Sequence, residues 1–204
     1  EVQHITGNVH VPAGKTLTIE PGTVIQFNYR MKLTVDGTLD ATGTSSEQIF
    51  FTSYRDNSPL GGTDNAAAGD WRALEFNVGS DASHLENVVV RYGGNGSTGE
   101  IVIASDISIV DSTVSDSNSF LVAGVRINSS NPTLTNLSFQ NNYTAASMDL
   151  ASSPTIHGVS ASSNTINGIL IDGGSLTNDV TWNTADLVYV VNGTITVPQT
   201  RTLT

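Results

Sequence analysis

Cysteine is absent from the 204 residues, which excludes a disulfide scaffold, thiolate metal sites and a thiol nucleophile. Charged residues make up only 13%, and basic ones are the scarcer, with 8 Lys and Arg against 19 Asp and Glu for a formal charge of −11. No basic block interrupts that balance, so neither a nucleic-acid backbone nor an anionic lipid surface is an expected partner. No apolar run approaches the roughly 20 residues of a membrane span, and the start at Glu1 lacks the basic, apolar and small-residue pattern of a secretory leader. Any targeting signal is therefore expected outside these residues. The chain is rich instead in polar turn and strand formers, 23 Ser, 25 Thr, 18 Asn and 19 Gly. That mixture disfavours helix interiors and suits short strands, tight turns and stacked polar ladders.

An apolar-polar-apolar triplet recurs at intervals of roughly two dozen residues. One series runs Val9-His10-Val11, Leu33-Thr34-Val35, Leu74-Glu75-Phe76, Ile101-Val102-Ile103, Val125-Arg126-Ile127, Met148-Asp149-Leu150, Ile169-Leu170-Ile171 and Ile195-Thr196-Val197. Its steps are 24, 41, 27, 24, 23, 21 and 26 residues. A second series includes Leu17-Thr18-Ile19 and Leu39-Asp40-Ala41, and a third includes Ile25-Gln26-Phe27 and Val88-Val89-Val90. Three short alternating strands per coil, with one face buried and Gly, Asn and Ser at the bends, predict an all-β fold: a right-handed parallel β-helix, or solenoid, of about seven coils. An antiparallel sandwich is the competing all-β reading, because Asp36-Gly37, Asn95-Gly96, Asn167-Gly168 and Asn192-Gly193 are hairpin-type dipeptides. The 41-residue step contains a polar stretch without alternation, near residues 54–70, that should protrude as a loop.

Residues 191–204 align without a gap to residues 5–18 at an offset of 186, with six of fourteen positions identical. Gly193 matches Gly7, Val197-Pro198 matches Val11-Pro12, and Thr202-Leu203-Thr204 matches Thr16-Leu17-Thr18. Residues 187–204 thus restart the N-terminal motif. Residues 1–204 are expected to form a single β-helix unit, one period of a tandem or end-to-end array whose partners are neighbouring copies.

The stretch from Val11 through Pro12-Ala13-Gly14-Lys15-Thr16-Leu17-Thr18-Ile19-Glu20-Pro21-Gly22 to Phe27, with Gly37-Thr38-Leu39, Ile49-Phe50-Phe51-Thr52-Ser53, Gly69-Asp70-Trp71 and Val90-Arg91-Tyr92-Gly93-Gly94, resembles the β-helix repeat modules of very large secreted or surface proteins of bacteria and some archaea. The resemblance covers essentially the whole chain. It implies an extracellular or cell-surface location and a scaffold, adhesive or display role without a cofactor. Pectate lyases and polygalacturonases share that fold, but their active sites carry carboxylates on adjacent coils beside an Arg, Lys or His. This sequence has no Asp-Asp pair and no Gly-His-Gly, its one Arg-x-Lys is Arg30-Met31-Lys32, and no column of the triplets shows acids on consecutive coils. A catalytic residue set is therefore not expected. A divergent polysaccharide lyase or hydrolase and a carbohydrate-binding module remain the rival readings.

Weaker signals point elsewhere. Asp111 and Asp116, with Asn136, Asn141, Asn142 and Asn164, recur near one corner of successive coils, and Asp56, Asp64 and Asp70 fall in the inserted stretch. These acids are candidate calcium ligands, although the spacing matches no EF-hand or nonapeptide motif and Asx residues at turns have a structural explanation. Arg126 and Asp149 are expected to be outward neighbours forming a surface ion pair. Thr133, Thr155 and Thr177, each 22 residues apart, would form an outward rank of the kind found on ice-binding β-helices. His4, His10, His84 and His157 are dispersed and point to neither a zinc site nor a triad. Five glycosylation sequons, at Asn95, Asn128, Asn136, Asn142 and Asn192, are close to the number chance alone would place in so Asn-, Ser- and Thr-rich a chain.

Overall fold

The computed structural model describes residues 1–117, 121–182 and 186–204. The chain winds as a parallel β-helix with three sheets. The first sheet contains Val2–Ile5, Val24–Phe27, Ile49–Ser53, Val88–Arg91, Thr113–Ser115, Ser138–Gln140 and Ser160–Ser162. Val9–Val11, Leu33–Val35, Leu74–Phe76, Gly99–Ile103, Ala123–Ile127, Thr144–Met148, Ile166–Ser175 and Val188–Thr196 form the second. The third is built from Thr16–Ile19, Thr38–Thr42, His84–Glu86, Ser108–Val110, Thr133–Thr135 and Thr155–His157. Each strand pairs in parallel with its counterpart one coil away. The second sheet's eight rungs make about eight coils, one more than the triplet spacing predicts. No antiparallel sandwich forms.

Period-two alternation fills the centre. Leu33 and Val35, Leu74 and Phe76, Ile101 and Ile103, Val125 and Ile127, and Ile169 and Ile171 point inward from the second sheet and are buried. Phe51, Val90, Val114 and Phe139 do the same from the first sheet, and Leu39, Leu85, Ile109 and Leu134 from the third. Each such side chain contributes about 1.5–3 kcal/mol of burial, which a lone coil with solvent on both sides could not collect.

Two corners are turned by a left-handed residue stacked from coil to coil. Between the third and first sheets it is Asn87 (φ 50°), Asp111 (49°) and Asn136 (55°); between the first and second, Tyr92 (67°), Asp116 (63°), Asn141 (54°) and Ser163 (58°). Short Asx side chains tolerate that backbone, and their amides bond up the stack: Asn136 Nδ2 donates to Asp111 Oδ1 at 2.8 Å, and Asn141 Nδ2 to Asp116 Oδ1 at 3.1 Å. A second column is buried beside the latter corner. Asn142 Oδ1 accepts the Ser117 N–H at 3.2 Å and its hydroxyl at 2.8 Å, while the Asn142 N–H donates to Asn164 Oδ1 at 2.8 Å. Asn142 Nδ2 reaches the Val114 carbonyl and Asn164 Nδ2 the Phe139 carbonyl, each at 3.0 Å. The Asx residues expected at one corner thus belong to two.

Three expectations of register change. The rung after Val125-Arg126-Ile127 is Ala146-Ser147-Met148, not Met148-Asp149-Leu150, because inward Ala146 is too small to register as an apolar signal. Ser147 therefore lies beside Arg126, and Arg126 reaches past it to Asp172, donating from Nη1 at 3.1 Å and Nη2 at 2.6 Å. Asp149 instead accepts the Ser129 N–H at 2.8 Å and the Ser152 hydroxyl at 2.7 Å. The last rung opposite Ile169-Leu170-Ile171 is Tyr189-Val190-Val191, inside an apolar run whose alternation is obscured. Thr133 pairs with Thr155, but the rung before them is Ser108 and then His84, and the third-sheet strands stop at Thr155–His157, so no long Thr rank forms.

Candidate functional site

The departure from coil regularity lies between Ile49–Ser53 and Leu74–Phe76, where residues 54–73 leave the helix and return. One 3-10 turn, Ser58–Leu60, and an antiparallel bridge between Asp56 and Asp64 give this excursion its shape. Asp56 ties it down from a fully buried position. Its carboxylate accepts the Thr52 hydroxyl at 2.6 Å, the Ser58 N–H at 3.1 Å and hydroxyl at 2.8 Å, and the Arg91 guanidinium at 2.6 Å. Burial alone would raise the Asp56 pKa, but the Thr52 and Ser58 donors and the Arg91 charge outweigh it and hold the group below the usual carboxylate range. Gln26 Nε2 adds a 2.6 Å bond to the Asp56 carbonyl.

The other two acids close the excursion. Asp64 accepts the Tyr92 hydroxyl, and burial with that bond pushes the phenol pKa above its ordinary value. Asp70 accepts the Ser53 hydroxyl at 2.7 Å and the Ala67 N–H at 3.0 Å, with Arg55 at 3.6 Å. Asp56, Asp64 and Asp70 therefore face separate donor sets, and Asp111 and Asp116 belong to the turn ladders. Among the described residues no three His, Cys, Asp or Glu gather as a metal site.

Trp71 plugs the return. It is fully buried, stacks on Phe27 with ring centroids 4.4 Å apart, and donates from Nε1 to the Arg91 carbonyl at 2.8 Å. Gly93 passes so close that a Cβ there would stand 3.2 Å from both the Trp71 ring and Glu100 Cγ. Glu100, also fully buried, accepts the Gly93 N–H on Oε1 at 2.6 Å, while Oε2 has no partner. Burial drives the Glu100 pKa well above the ordinary range, opposed by the Gly93 bond and assisted by the nearby Asp116 charge. Sequence reasoning missed Glu100, because strict alternation in Gly99–Ile103 turns it outward; the preceding Gly93-Gly94 was the only hint of a chain passing over it.

Four of the recesses among the described residues bear on function. Tyr29, Tyr54, Arg55 and Asp70 line one of about 330 Å³. Next along the chain, Arg30, Arg72, Asn95 and Gly96 line another of about 220 Å³. On the outer face of the second sheet, Leu121, Arg126, Ser147, Leu170 and Asp172 border about 290 Å³. The fourth, about 350 Å³, opens at the N-terminal coil between Ile5, Val9, Leu17, Ile19 and Ile25. Of the dispersed histidines, His10 bonds Asp36 at 2.7 Å and His84 bonds Glu86 at 3.2 Å.

No family model, no curated protein and no solved structure matches the chain. Among the described residues no helix is long and apolar enough to cross a membrane.

Proposed function

We propose that the chain is a noncatalytic structural or adhesive unit of a β-helical rod, surface layer or filament outside the cell, continued at its coil ends by neighbouring copies. The observation that carries this is the shared corner at the two ends. Lys15 N–H donates to the Pro12 carbonyl at 3.0 Å, and Arg201 N–H donates to the Pro198 carbonyl at 2.9 Å. After the turn, Leu17 stands in the third sheet opposite Leu39, and Leu203 bridges in parallel to Val180. In the N-terminal copy the next coil docks here: the Val11 carbonyl accepts the Asp36 and Gly37 N–H groups, and the Lys15 carbonyl accepts that of Thr38. Gly37 sits so tightly that a Cβ would fall 2.4 Å from the Pro12 carbonyl oxygen and 2.3 Å from that of Lys15. The Pro198–Arg201 turn offers the same surface to a following unit. At the other end, the apolar recess of Ile5, Val9 and Leu17 accepts a preceding coil.

The match is incomplete at the glycine. Ile5 ends a first-sheet strand and Val9 opens a second-sheet one, whereas Val188–Thr196 runs through Gly193 as one strand with a register shift opposite Asp172 and Gly174. The resemblance to repeat modules of secreted bacterial and archaeal proteins and the absence of cysteine support the extracellular setting. Sedimentation across concentration, with imaging for rods, tests the proposal: association into end-to-end assemblies is expected, and a monomer stable at high concentration would overturn noncovalent stacking. The rival reading, a carbohydrate-binding module, draws on exposed Tyr29 and Tyr54 flanking one recess. A glycan array joined to a polysaccharide-degradation screen separates recognition and cleavage from a purely structural role.

A further inference from the structure

The recess of Arg30, Arg72, Asn95 and Gly96 is built from three successive coils held in register by backbone bonds. Arg72 N–H donates to the Met31 carbonyl at 2.9 Å, Gly94 N–H to the Arg72 carbonyl at 2.7 Å, and Asn95 N–H to the Trp71 carbonyl at 2.9 Å. The same corner that carries Asp116 and Asn141 farther along the helix here carries two guanidinium groups. Arg30 holds the left-handed backbone (φ 66°), a conformation that costs a non-glycine residue energy and that Asn or Gly would adopt more readily. Its side chain lies over the Tyr29 ring at 5.0 Å and, among the described residues, has no carboxylate partner.

Arg72 is held by its inner nitrogen. Nε donates to Glu75 Oε1 at 3.2 Å, and the other Glu75 oxygen takes Lys32. One carboxylate thus fixes two cations, and Arg30, Lys32 and Arg72 against Glu75 leave a local excess of two positive charges in a chain whose total is −11. The Nη groups of Arg72 remain for a ligand. Asn95 is anchored through Nδ2 to the Gly69 carbonyl at 2.7 Å, which fixes the far wall.

We propose that this recess binds a single oxyanion, sulfate, phosphate or carboxylate, carried by a ligand outside the chain, with Arg30 and Arg72 as paired donors. Planar guanidinium forks are the side chains that recognise such groups bidentately, and a cation aimed at solvent on an acidic protein attracts little else. The inference is independent of end-to-end stacking.

The test uses the whole chain in amide-resolved NMR titrations with sodium sulfate, sodium phosphate and sodium acetate, each against sodium chloride at equal ionic strength. Saturable shifts at Gly96 and the Asn95 side chain are expected with at least one of the three and not with chloride; tetrahedral anions above acetate would assign a sulfated or phosphorylated ligand, and the reverse order a carboxylate. Arg30→Gln should weaken the response about tenfold and Arg30→Lys by less, because lysine keeps the charge but loses the fork. Arg30 is exposed, so both variants should retain the wild-type spectrum without anion. Shifts that track ionic strength alone, or an unchanged response in Arg30→Gln, would overturn the assignment.

Discussion

The corner between the first and second sheets takes two forms along one helix. In the later coils it is closed by its own side chains: Asp116 and Asn141 bond at the rim, and Ser117, Asn142 and Asn164 bond in the buried column. In the earlier coils Arg30, the 54–73 excursion, Arg72 and Asn95 occupy it, and two recesses open. Both forms carry a left-handed residue, Arg30 and Tyr92 in the earlier coils and Asp116 and Asn141 in the later ones. The corner therefore needs only a tolerable left-handed residue and satisfied polar groups. Where the amide ladder supplies the second, the described Asx side chains spend their amides on one another; where an insertion supplies it, side chains with spare donors remain.

The core sets the scale against which both corners are measured. Ile127→Asp, which places an unpaired carboxylate on a fully buried inward position, should cost more than about 4 kcal/mol in denaturant unfolding, whereas Thr133→Asp on the exposed face should stay within about 0.5 kcal/mol. Equal tolerance would refute the strand phase. At the closed corner, Asn142→Ala strands the Ser117 N–H and the Val114 carbonyl, at an expected cost of about 2–4 kcal/mol. Asn95→Ala in the open corner should cost about 1 kcal/mol, since it removes one bond to a partly exposed carbonyl. If the two losses match, the contrast between the corners disappears.

The excursion can be released separately. Asp56→Ala leaves Arg91 without its carboxylate and should cost about 2–3 kcal/mol, with limited proteolysis moving into residues 57–68. Because the folded Asp56 pKa lies below its ordinary value, its contribution is present above the usual Asp range and lost as pH falls through the folded value; acid should therefore expose the same peptide bonds in the wild type. Glu100 has the opposite sign. Its folded pKa is raised, so stability is full below the ordinary Glu range and declines as pH rises toward the folded value. Glu100→Gln should flatten that decline, raising stability on the alkaline side and changing it little on the acid side.

Much of this architecture is legible in the sequence because inward positions repeat: Leu33, Leu74, Ile101 and Val125 announce their sheet through size and alternation. Legibility fails where size is the wrong signal. Ala146 is as buried as Ile127, but a methyl group does not mark a rung, and the misplaced triplet carried Asp149 into a false pairing with Arg126. The insertion is visible from the 41-residue step, whereas its surroundings are not. Arg30, Arg72 and Asn95 are separated by 42 and 23 residues, and only the stacking of a shortened turn, an insertion's end and a Gly-rich turn brings them together.

The central claim, that the helix is a unit whose ends are completed by another of its kind, is tested most directly by a two-copy chain in which residues 5–204 follow residue 190, so that the second copy replaces the matching C-terminal segment. If the Pro198–Arg201 corner and the Ile5–Val9–Leu17 recess are two halves of one coil contact, thermal unfolding should show a single transition above that of the single copy, and amides of the joined coil should become protected from exchange. A melt at the single-copy temperature, with the junction amides still unprotected, would contradict the account.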